Sequence, residues 1–171
     1  MRLKCHAILL VGAALFAGCI SRKSAVVLDP IGPPAVSAMA AGSVGTLVVY
    51  LAFDTHGDFN DLPYLRHYSD YKLLAADGTL RQLVHDHDGL LVEVPKRLEL
   101  PVGDYRVDAH ANGFGIVTAP VVIKANQVTT VHLEGGASWF NNAALLQSNP
   151  VRLPDGEIAG WRADPMGSSK P

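Results

Sequence analysis

Tyr105-Arg106-Val107-Asp108-Ala109-His110-Ala111 alternates apolar and polar side chains without a break, and this period constrains the fold more than any other feature. Successive side chains on an extended chain point to opposite faces. Tyr105, Val107, Ala109 and Ala111 are therefore expected to face a core, and Arg106, Asp108 and His110 to face away from it. The same texture recurs along the chain. Thr46 to Phe53 is rich in β-branched and aromatic residues. Tyr68 to Ala75 and Thr79 to His85 flank Asp77-Gly78, a hairpin turn signal. Leu90 to Val94 follows Asp88-Gly89 and ends at Pro95. Arg97 to Leu100, Tyr105 to Ala111, Ile116 to Ile123 and Val128 to Leu133 are separated by turns at 101–104, Asn112-Gly113 and Ala125-Asn126. No long amphipathic helical stretch follows residue 19. Short strands at regular turn spacing predict an all-β fold, a single antiparallel β-sandwich of about seven strands over residues 44–134.

The flanks read differently. Residues 19–43 are expected to form a flexible tether, because Pro30, Pro33 and Pro34 stand among small residues with no helical period. Within it, Val26-Val27-Leu28 is an apolar island able to lie on the domain as an edge strand. Residues 135–171 read as a C-terminal tail. Its anchors are Ser138-Trp139-Phe140 and Val151-Arg152-Leu153, and Pro154-Asp155-Gly156 predicts a hairpin over 151–161. From Asp164 onward disorder is expected.

Leu98-Glu99-Leu100-Pro101-Val102-Gly103-Asp104-Tyr105-Arg106-Val107 resembles the leucine-proline-x-glycine-x-tyrosine-x-valine segment of small bacterial surface modules. Gly113-Phe114 and Val121 to Leu133 extend the likeness. These modules are the carboxypeptidase-regulatory-like, transthyretin-like and PEGA-type β-sandwiches. The likeness covers roughly residues 90–134 and is weakest over 54–67. It implies an Ig-like or transthyretin-like sandwich serving as an accessory or adhesive module, with no catalytic residues to carry over.

The first nineteen residues carry a second resemblance. Arg2 and Lys4 precede an apolar run from Ala7 to Ala17, and Leu15-Phe16-Ala17-Gly18-Cys19 closes it. This is the charged, apolar, small-residue layout of a secretion signal, and the run is too short for a membrane span of about 20 residues. It is similar to the bacterial lipoprotein signal, in which residues 1–18 would be removed and Cys19 acylated. Phe16 stands where that signal usually has an aliphatic residue. Ile20 replaces the Asp that commonly signals inner-membrane retention, so the resemblance implies the outer membrane. An ordinary cleaved signal is the alternative.

Removing residues 1–18 takes two of the 14 basic residues and none of the 16 acidic ones, which leaves 153 residues with a formal charge of −4. One domain with tails fits that length. A mildly acidic chain lacks the Lys/Arg clusters that bind nucleic acid or anionic lipid. Its expected partners are the membrane, through acyl chains on Cys19, and an envelope protein or polysaccharide. Cys5 and Cys19 both precede the predicted domain, so no disulfide, Cys-type zinc site or thiolate nucleophile is expected inside it.

No enzyme chemistry is expected either. The chain has no GxSxG elbow and no GxGxxG or GxxxxGK phosphate loop. Three binding constellations stand beside a structural reading. His85 and His87 share one face of an extended segment, a spacing suited to zinc or copper, although Asp88-Gly89 also simply makes a turn. Asp54, Asp58, Asn60 and Asp61 supply hard oxygens for calcium in a spacing unlike an EF-hand, and equally make local turns. Trp139 and Trp161, with Phe140, Tyr64, Tyr68 and Tyr71, can stack on sugar rings or fill core. His110 and His132 are both expected on outward faces.

Overall fold

The computed structural model describes residues 26–34, 43–54, 67–86, 94–135 and 149–163. The leader, Cys19, residues 90–93 of an expected strand and the tail from Asp164 lie outside them. Among the described residues regular structure is β throughout: β1 (Val26–Val27), β2 (Ile31–Gly32), β3 (Val44–Tyr50), β4 (Phe53–Asp54), β5 (His67–Tyr68), β6 (Tyr71–Ala75), β7 (Leu80–Val84), β8 (Arg97–Pro101), β9 (Gly103–Ala111), β10 (Gly115–Ile123), β11 (Val128–His132), β12 (Pro150–Arg152) and β13 (Ile158–Arg162). The larger sheet runs β12-β13-β2-β10-β9-β6-β7, with β1 also on β10. The smaller runs β11-β3-β8, and β4 pairs with β5 alone. Leu47, Val49 and Val131 of the smaller sheet meet Leu73, Val107, Val121 and Ile31 of the larger in one core, an arrangement consistent with a β-sandwich. Burying each such side chain contributes about 1.5–3 kcal/mol. Thr129 ties the layers together, its buried hydroxyl donating to the Val122 carbonyl at 2.7 Å.

The long hairpin of β9 and β10 is the spine. Nine register pairs run from Gly115↔Ala111 to Ile123↔Gly103. Val107 and Ala109 are buried and His110 is exposed, as the alternation requires. Gly113 closes the hairpin at φ +84°, a conformation that a side chain disfavours. Pro120, mid-strand in β10, has no N–H to give. The Thr118 carbonyl accepts from Leu28 N at 2.9 Å, so Thr118 and, two residues on, Pro120 turn their backbone groups toward β1 and β2. The strand opposite is interrupted there, at Asp29-Pro30.

Three sequence expectations need correction. Residues 26–34 do not belong to a tether: β1 and β2 pair in parallel with β10, and Ile31 is completely buried. The hairpin of β12 and β13 is part of the larger sheet, because β13 pairs with β2. The sandwich is also not purely antiparallel, since β11 runs parallel to β3 from Val128↔Thr46 to His132↔Tyr50. The strands outnumber the expected seven because β1, β2, β12 and β13 join from outside residues 44–134 and backbone breaks at Leu51-Ala52 and Ser69-Asp70 divide longer runs.

Candidate functional site

One end of the sandwich gathers most of the polar candidates. The pairs Tyr71↔Val84, Lys72↔Asp108 and Ile116↔His110 bring the end of β7, the start of β6, the end of β9 and the start of β10 to one level. Tyr50 closes β3 at the same end and lies in register with His132 of β11.

His85 follows β7 on the outer face. Its Nδ1 lies 2.7 Å from Asp70 Oδ2, with the two side chains 66% and 45% exposed. A carboxylate that orients an imidazole is the usual partner of a metal-ligating histidine. The neighbouring Asp86 does something else. It is buried, and its Oδ1 accepts the Lys96 backbone N–H at 2.6 Å. Lys96 Nζ donates in turn to the His85 carbonyl at 2.9 Å. Asp86 and Lys96 thus clamp the two ends of the 87–95 segment. Beneath them the buried Tyr71 phenol is held well above its ordinary range, by desolvation first and by the Asp86 carboxylate second.

The strongest aromatic arrangement at this end was not legible in the sequence. His132 stacks on Tyr50 with centroids 4.5 Å apart and planes 7° from parallel, and Tyr50 meets Tyr68 edge-on at 6.4 Å. His132 Nδ1 lies 2.8 Å from Glu134 Oε1. The expected outward position of His132 is therefore corrected: it is buried, because Tyr50 covers the face that a lone alternating strand would leave to solvent.

The other candidates separate. His87, Asp58, Asn60, Asp61, Trp139, Phe140 and Tyr64 lie outside the described residues. Asp54 pairs through its backbone with His67. Trp161, proposed from sequence as a stacking platform, is 6% exposed, and Tyr68 and Tyr71 are likewise buried; covered rings offer no face to a sugar. Among the described residues no three His, Cys, Asp or Glu side chains converge to hold a metal ion.

Cavities lie at both ends of the β9–β10 hairpin. One of about 260 Å³ at this end is lined by Ser69, His110 and Asn112. Another of about 510 Å³ lies toward the opposite end, between Pro30, Tyr105, Pro120, Arg106 and Arg162. Its Arg162 is paired with Asp29 at 2.7 Å. No protein-family model, curated protein or solved structure matches the chain.

Proposed function

We propose that the chain is a lipid-anchored β-sandwich of the bacterial cell envelope, Ig-like or transthyretin-like in class, acting as a non-enzymatic structural or protein-interaction module of the outer membrane. The observation that supports this most is the position of β1. Among the described residues strand pairing begins at Val26, seven residues after Cys19. A signal that ends in an acylated cysteine would therefore feed almost directly into the sheet. Expression in a bacterium with labelled palmitate tests the anchor: label is expected in the wild-type chain and not in Cys19→Ser. An unlabelled wild-type chain refutes it.

A second reading, a metal-ion or glycan-binding module, has one observation in its favour. Asp70 orients the exposed imidazole of His85, leaving Nε2 directed away from the carboxylate. Zinc is expected to raise the melting temperature of the folded domain and His85→Ala to remove the effect. An unchanged melting temperature with zinc refutes the metal form of that reading.

A further inference from the structure

β1 runs parallel to β10, with Val26 beside Val117. The chain therefore reaches Val26 from the end of the sandwich that carries the β9–β10 turn, at the level of Ile116. Seven residue steps separate Cys19 from Val26. At roughly 3.5 Å per step the reach is at most about 24 Å. The opposite end, where Ile123 pairs with Gly103, lies six β10 residues farther along, about 20 Å at 3.3 Å per residue. Bringing that end to the bilayer would require the linker to fold back fully extended along the sheet, which costs it nearly all its conformational freedom. Bringing the near end down requires none of this.

The near end also carries exposed aliphatic side chains. Val27 is 66% and Ile116 54% exposed, on neighbouring positions of β1 and β10, and Val94 is 71% exposed beside the Asp86–Lys96 clamp. At this end Asp70 lies against His85, Asp86 accepts from Lys96, Asp108 from Thr118, and Glu134 lies against His132, so each of these four carboxylates has a partner when the end meets an anionic surface. We infer that this end, with Val27, Ile116 and Val94, rests on the lipid bilayer. The opposite end, with the cavity between Arg106 and Arg162, faces away and is left open to partners. The inference rests on acylation of Cys19.

Apart from Cys5 and Cys19 the chain has no cysteine, so single labels can be placed at will. The acylated chain carrying Ile116→Cys or Val102→Cys, each bearing a fluorophore, is reconstituted in vesicles of phosphatidylethanolamine and phosphatidylglycerol that contain nitroxide-headgroup lipid. A label within roughly 10 Å of the headgroups is expected to lose at least half its emission at position 116 and little at 102. Inserting a Gly/Ser spacer of about 20 residues after Arg22 should narrow the difference in quenching between the two positions, because the linker no longer fixes the end and only the exposed aliphatic side chains still favour it. Equal quenching without the spacer, or stronger quenching at 102, overturns the orientation while acylation stands. Absence of palmitate from Cys19 overturns the anchor and the orientation with it.

Discussion

Replacing Ile31 by Ala tests whether residues 26–34 are part of the core. Ile31 has no solvent exposure and sits in register between Val121 of β10 and Arg162 of β13. Its methyl groups cover Gly160 so closely that a Cβ there would come within 2.6 Å of Cγ2 and 3.3 Å of Cδ1. Truncation to Ala removes three carbons, worth about 2.4 kcal/mol at roughly 0.8 kcal/mol each. The void adds to this, because glycine has no side chain to move into it. A total of about 4 kcal/mol follows, in the upper part of the range for such truncations. With a urea dependence of about 2 kcal/mol per M, the unfolding midpoint should fall by about 2 M. A double-mutant cycle sharpens the test. Gly160→Ala alone should destabilise. In the Ile31→Ala background the two Ile31 atoms that crowd the new methyl are gone, and of its three nearest neighbours the Thr130 carbonyl, at 3.0 Å, stays. The combined cost should therefore fall short of the sum by about 1 kcal/mol or more. A midpoint shift under about 0.25 M for Ile31→Ala would show that the segment is a tether after all, and strict additivity would show that Ile31 and Gly160 do not touch.

Three further outcomes are expected. Gly45→Ala would press a methyl onto the backbone oxygen of Lys124, which cannot rotate aside; calorimetry should show a loss of about 2–3 kcal/mol, and an unchanged melting temperature would refute the contact. Asp86→Ala leaves the Lys96 N–H without its acceptor and should cost about 1–3 kcal/mol in denaturant unfolding, whereas Asp86→Asn, which keeps an oxygen there, should cost clearly less. Tyr71 favours its neutral form in the folded state, so its contribution to stability is complete below the ordinary phenol range and is lost as pH rises above it. In an alkaline titration followed by phenolate absorbance, one of the five tyrosines should ionise late and only with unfolding; Tyr71→Phe should remove that step.

Local signals account for what could be read from the sequence. The alternation of 105–111, the Asp77-Gly78 and Asn112-Gly113 turns and the 151–161 hairpin each lie within a few residues of one another, and each appears in the structure. The misread segments depend on distant partners. Ile31-Gly32 is a two-residue strand between prolines, and what makes it a strand is Val121, ninety residues away. His132 follows the alternation of its own strand and is nevertheless buried, because Tyr50 of a strand far earlier in the chain stacks on it. For Trp161 the sequence left core filling and ligand stacking both open, and its burial follows from a pairing with Gly32 that has no trace in the neighbouring residues. The candidate site was half legible. His85 could be picked out from its chemistry, but its Asp70 partner and the clamp that Asp86 makes with Lys96 come from strand register.

The seam between β2 and β13 also governs the order of events in the life of the chain. Arg162 bonds Asp29 across a separation of 133 residues, and Trp161 pairs with Gly32. A strand made early therefore waits for one made about 130 residues later, and the larger sheet stays open on that side until Arg162 has been made. Long-range pairings of this kind fold slowly. A nascent chain would remain threadable until β13 has been made, and a ribosome stalled anywhere before residue 158 would leave a domain with an unsealed edge.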